Sequence, residues 1–342
     1  MDVTLPRATG LGLALLLLGL AAAVLLGPAH VSLAGIRAVL ADVLGLAPLP
    51  AAHARDAAIL TVIRLPRALL AIAVGAGLAT AGVVMQGLFR NPLADPGLIG
   101  VSAGAALAAV AALVLGGGLL RTPLGLWLLP VCAFCGGLAA TLLVARIAMT
   151  EGGIAVATLL LAGIAVNALA NAGIGLFIFI ADDRQLRDIT FWMLGSLAGA
   201  RWPHLPVLGI MVVLPALALL FLARSLNALA LGEREAFHLG IAIERVKRIA
   251  IVLAAITVSA GVAFTGLIAF VGLVVPHLVR LAVGADHRLV LPLSALSGGA
   301  LLVVADLGAR SLAAPAELPI GVLTSAIGAP FFLWLLRRER AK

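Results

Sequence analysis

The sequence predicts an all-α polytopic membrane protein of about ten transmembrane helices. Hydrophobic residues make up 63% of the 342 positions and charged residues only 11%, whereas a soluble domain carries about a quarter charged. That much apolar surface cannot be hidden in a water-soluble core. Apolar runs long enough to cross a bilayer, which takes roughly 20 residues of helix, alternate with short polar segments. The 38 glycines suit membrane helices, which pack closely through small residues. With no tyrosine and only 4 tryptophans, an interfacial aromatic belt is weak. Residues 1–342 read as one transmembrane domain.

Arg7 followed by Leu11 to Leu26 has the outline of a signal peptide. The run exceeds a usual h-region and lacks an A-x-A site, so it reads as a retained first span, 11–29. Residues 30–63, with Arg37, Asp42, His53, Arg55 and Asp56, read as a surface segment with room for an amphipathic helix. Spans two and three, 66–89 and 97–117, flank a polar island from Arg90 to Gly97. Spans four and five are 125–148 and 153–180. A polar patch, Asp182 to Asp188, leads into a half-polar helix ending near Ala200, and span six is 203–223. After a charged segment, 224–247, come spans 248–264, 267–284, 289–306 and 319–336 and a basic tail, Arg337 to Lys342. With both termini in the cytoplasm, most lysines and arginines fall on the cytoplasmic side, as the positive-inside rule asks.

Several function classes are excluded. The charge of +8 comes without a basic block or interleaved aromatics, so nucleic acid is not a partner. No G-x-x-x-x-G-K-[ST] occurs, so the chain has no phosphate-cradling loop of its own. An ion-coupled secondary transporter, the rival from another class, keeps ionisable groups at mid-membrane depth; here only Asp306 approaches that position. Cys132 and Cys135 are spaced C-x-x-C within an apolar run. Without a thioredoxin-like setting they read as small buried hydrophobes rather than a redox pair. None of the histidines forms a metal-ligating pair, and no metal site is expected.

The segment 225–244 is the candidate contact for an energy-supplying partner. Gly232 and Gly240 break it into two short helices. Leu229, Leu231, Phe237 and Leu239 offer apolar knobs, and Glu233, Arg234, Glu235 and His238 a polar rim. A docking knuckle and a solvated loop with an interfacial helix fit these residues equally. Asn167 and Asn171, four apart on span five, share a face. A helix–helix hydrogen bond and a pathway lining both fit. The small-residue pairs Gly100/Gly104 and Gly195/Gly199 read as packing signals.

Several ordered blocks carry a resemblance. They are Arg64-Leu65-Pro66-Arg67; Gly82 to Gln86; Arg90-Asn91-Pro92-Leu93-Ala94-Asp95-Pro96; Gly266 to Arg280; Asp286-His287-Arg288; Asp306 with Arg310; and Glu317 to Gly321. They resemble the permease subunit of the haem, iron–siderophore and cobalamin ABC importers, the FecCD or type II class. The resemblance implies a type II importer fold working as a homodimer with two ATPase subunits and a periplasmic substrate-binding protein, in the bacterial inner membrane. It implies that Leu231 to Glu235 and His238 to Gly240 belong to coupling helices seated on the ATPase, which alone holds ATP and magnesium. It implies that Arg64, Arg67 and Arg310 receive acidic residues of the binding protein, where anchoring to lipid phosphates is the alternative. It also sets Asn167 and Asn171 beside a central channel. The runs Pro96 to Ser102 and Asp188 to Leu197 look most like haem permeases, so haem is the expected cargo, with ferric siderophore as the alternative and cobalamin less so.

Overall fold

The computed structural model describes residues 5–151 and 153–340. Of the basic tail, Ala341 and Lys342 lie outside the described residues. Among those described, six helices are long and apolar enough to cross a membrane, one bent pair adds a seventh, and three shorter apolar helices bring the apolar segments to ten. Each corresponds to one expected span.

In chain order the helices begin with α1 (Leu5–Leu25), α2 (Leu33–Val43) and α3 (Ala54–Ala57). A seven-residue π-helix, Ala58–Arg64, leads into α4 (Leu65–Phe89). Next come α5 (Val101–Leu115), α6 (Gly125–Ile147), a two-stranded hairpin (β1, Met149–Thr150; β2, Gly153–Ile154) and α7 (Val156–Ile180). After α8 (Asp183–Leu194), α9 (His204–Leu208) and α10 (Leu214–Leu220) form one span through a π-turn. The chain then bends by 55° into α11 (Ala223–Leu231). It ends with α12 (Glu233–His238), α13 (Ile243–Thr265), α14 (Val271–Val283), α15 (His287–Leu312) and α16 (Ile320–Arg340).

The second span does not start at residue 66. A continuous apolar rod runs from Ala51 to Phe89, so Arg64 and Arg67 lie within a helix and not at its mouth. Pro66 signals a helix start in sequence because it lacks an N–H. Here the rod tolerates it through the π-turn. The Leu65 N–H bonds to the Leu60 carbonyl, five residues back, so the next carbonyl in that register, Thr61, loses its donor at Pro66. The indole Nε1–H of Trp202 supplies it at 2.9 Å.

α4 is the hub of the fold, buried nearly all round and packed against α1, α13, α14 and α15. Its approaches depend on missing side chains. A methyl on Gly82 would overlap the Gly272 carbonyl, and one on Gly298 would overlap Gly75. Gly104 meets Gly136 of α6 in the same way. The pair Gly195/Gly199 is not a packing face: α8 ends at Leu194, and a methyl on Gly199 would meet nothing within 4 Å. α1 lies along α15, with Gly12 against Leu296 and Gly19 against Val304. α6 and α7 are largely uncovered, and Cys132 and Cys135 on α6 are free thiols, the latter exposed.

Gly82→Ala and Gly298→Ala should each lower the thermal unfolding midpoint in detergent, by the equivalent of about 1–3 kcal/mol of overpacking. Gly10→Ala, where a methyl meets nothing within 4 Å, should leave it unchanged.

Candidate functional site

Three regions hold the candidate functional residues: an arginine cluster at one end of the bundle, a knuckle at the other, and an interrupted helix between them.

The arginine cluster is built on the C-terminus of α1. The last four carbonyls of a helix lack intrahelical donors. Leu26 N–H takes that of Ala22, Arg310 Nη2 donates to Ala23, and Arg64 Nη1 donates to Val24 and Leu25, each at 2.9 Å. Arg64 Nη2 also donates to Ala29. Arg67 is held by two carboxylates. Its Nε and Nη2 grip Asp306 at 2.8–3.0 Å, and its Nη1 donates to Glu317 at 2.9 and 3.0 Å. Arg310 Nε lies 3.7 Å from Asp306. All three arginines are buried, and Glu317, with 42% of its side chain exposed, is the open member of the cluster. The three residues singled out by sequence thus converge, but their guanidinium groups turn inward and are already engaged. Asp306 and Glu317 sit far along the chain from Arg67, so their partnership has no local sequence signal.

The knuckle forms as the glycines require. Gly232, at φ 122°, separates α11 from α12, and Gly240, at φ 80°, ends the second turn; these values suit glycine alone. Leu231, Phe237 and Leu239 are 68%, 70% and 63% exposed, flanked by exposed Arg234, Glu235 and His238. Leu229 does not join them. It is buried with Leu226 on the inner face of α11. The base of α11 is pinned by Asn227, which donates to Asp286 at 2.6 Å and accepts from the His287 backbone and ring N–H groups at 2.9 and 2.8 Å. The Arg288 N–H and the Asn227 amide hold the Asp286 carboxyl below the usual carboxylate range.

Between the two ends α13 and α14 are separated by a break in the helical pattern. Residues 266–270 join α13 to α14, and Leu267, Ile268 and Ala269 enter no backbone hydrogen bond. Gly261 packs beside Val74, and Gly272 beside Gly82, about 12 Å further along the same helix at 1.5 Å per residue. The break therefore runs alongside the middle of α4. Bare backbone at that depth is tolerated only inside protein or along a water-filled cavity. Three clefts meet here, and all include Leu267. One, of about 360 Å³, is lined by Asp95, Gly97, Ser102 and Leu273. Another is lined by Ser102, Asn167, Asn171 and Met193. Asn167 donates to the Gly97 carbonyl at 3.2 Å while its Oδ1 is buried without a partner, and Asn171 is exposed. The Asp95 side chain accepts the Gly97 N–H at 2.7 Å. Among the described residues no group of three His, Cys, Asp or Glu side chains could hold a metal ion.

Residues 15–338 match the FecCD transport family. The chain belongs to that family. This FecCD permease is 49% identical over 278 residues to the hemin transport system permease protein HmuU of Yersinia pestis, covering 81% of this chain and 83% of that one. It is 45% identical to the cobalamin import system permease protein BtuC of Halobacterium salinarum, over 83% of this chain and 74% of that one. It is 44% identical to the Fe(3+) dicitrate transport system permease protein FecD of Escherichia coli, over 81% and 84%. Among solved structures, an inward-facing metal-chelate type ABC transporter superposes with a TM-score of 0.85 at 33% identity, covering 97% of this chain and 99% of that one. The fold is thus that of a type II ABC importer permease, and ATP hydrolysis belongs to a partner subunit.

Asp306→Asn should destabilise the FecCD permease in detergent by about 3–5 kcal/mol, because it leaves buried guanidinium charge uncompensated. Glu317→Gln, at a half-exposed carboxylate, should cost no more than about 1 kcal/mol. Chemical or thermal unfolding of the two variants separates them.

Proposed function

We propose that this permease carries haem across the bacterial inner membrane as a homodimer, with one ATPase subunit docked on segment 225–244 of each copy. The observation that carries the coupling is the exposed apolar surface of Leu231, Phe237 and Leu239, rimmed by charge on a segment held rigidly at its base. Bare leucine and phenylalanine clustered on a polar protrusion mark a protein contact. The knuckle end faces the cytoplasm in this reading, which puts both termini there. Haem is favoured as cargo by the 49% identity to a hemin permease. The 44% identity to a ferric dicitrate permease supports a ferric chelate as the second reading.

Cargo crosses beside the break at 266–270, past Ser102, Asn167 and Asn171. These are neutral hydrogen-bonding groups that hold a polar solute weakly enough to release it. The substrate-binding protein docks at the opposite end on Arg64, Arg67 and Arg310. Three guanidinium groups against Asp306 and Glu317 leave that cluster net positive, which steers an acidic lobe toward it. A partner carboxylate reaches Arg67 by taking the place of Glu317, the exposed ligand.

Proteoliposomes holding the permease, its ATPase and its binding protein should take up haemin on ATP addition about tenfold or more faster than ferric dicitrate or cobalamin. Equal or faster uptake of either competitor would overturn the cargo. Phe237→Asp should abolish co-purification of the ATPase while the permease keeps its unfolding midpoint; retained co-purification would remove the knuckle from the interface.

A further inference from the structure

Lys247, in the first turns of α13, is 3% exposed. Its ammonium has three N–H donors and three acceptors, each at 3.0 Å: Glu233 at the start of α12, Glu244 one turn back on α13, and the backbone carbonyl of Ile154 in the hairpin before α7. Glu244 divides its carboxylate. One oxygen takes Lys247, and the other accepts the Ile154 N–H at 2.7 Å. Both backbone groups of Ile154 are therefore held by α13, and Ile154 itself is buried. The hairpin is shaped around this contact. At Gly153, φ is 107° and a methyl would overlap the Glu244 carboxylate, so only glycine lets the loop close over it. Two residues later α7 begins, the helix that carries Asn167 and Asn171 into the central clefts.

We propose that Lys247 is the positioning residue that ties the docking knuckle to the pathway helix, so that displacement of α12 is passed through Glu233, Lys247 and Ile154 to α7. A single ammonium joins three elements that are not neighbours in the chain. An ion held by three short, directional bonds out of water resists shear in a way that an exposed ion pair does not. Apolar contact between α12 and the hairpin would allow sliding, whereas this knot makes them one body. The proposal rests on the reading of 225–244 as the ATPase contact.

The test uses the full permease–ATPase complex in lipid, with hydrogen–deuterium exchange read at 231–240 and at 148–156 in the nucleotide-free and ATP-trapped states, beside uptake per ATP hydrolysed. In the wild type, ATP should change exchange in both segments. In Glu233→Ala, which removes only the half-exposed arm of the knot, the hairpin response should vanish while the knuckle response persists, and uptake per ATP should fall about fivefold or more, the low end of coupling between sites. Lys247→Met should behave likewise, and Lys247→Arg should recover part of the loss. Should Lys247→Met fail to assemble, Glu233→Ala still decides the matter. A hairpin response to ATP that is unchanged in Glu233→Ala would overturn the proposal. A wild-type knuckle that does not respond to ATP would instead overturn the docking reading, and this proposal with it.

Discussion

In hydrocarbon a backbone N–H or C=O without a partner costs several kcal/mol, and this structure is organised by that constraint. Where the helices run unbroken the ladder satisfies it. Where they stop, a long-range donor arrives. The C-terminal carbonyls of α1 are met by Arg64 and Arg310, the carbonyl orphaned by Pro66 is met by Trp202, and the Val114 carbonyl at the end of α5 is met by Gln185 of α8 at 3.1 Å. Leu267 to Ala269 have no such rescue, and they lie where three clefts meet. Exposed backbone at that depth is what places the proposed cargo path beside this break.

The same constraint explains why the charged residues turn inward. A guanidinium buried among helices needs acceptors on every side, and helix C-termini offer the nearest ones. Arg64 and Arg310 therefore act first as caps, and Arg67 as a clamp between α4 and α15. The docking of an acidic partner proposed above builds on this framework. A cluster with excess positive charge and one exposed carboxylate can trade that carboxylate for another without unravelling the bundle.

At the opposite end, mechanical continuity matters more than charge balance. The knuckle is pinned at its base through Asn227, Asp286 and His287 to the start of α15, and at its tip through Glu233 and Lys247 to the hairpin that leads into α7. On the docking proposed above, push and pull on its exposed apolar face act on two spans at once. One belongs to the packed core around α4. The other is α7, which has little cover from the rest of this chain.

The sequence alone determined the class of the protein, the number and order of its apolar segments, and the two-glycine knuckle. Each follows from local sums: transfer free energies over about 20 residues, and backbone angles that suit glycine. Through a family resemblance it also grouped Arg64, Arg67 and Arg310 as a set, and it put Asn167 and Asn171 on one helix face. The tertiary structure alone decided which partner each charge takes. Arg67 and Asp306 are 239 residues apart and Lys247 and Ile154 are 93 apart, and nothing in either neighbourhood names the other. It also joined residues 51–64 to the second span, because the donor that tolerates Pro66 comes from a tryptophan 141 residues away from Thr61. Burial in lipid is additive along the chain and so can be read from it, whereas the pairing of polar groups depends on which helices meet.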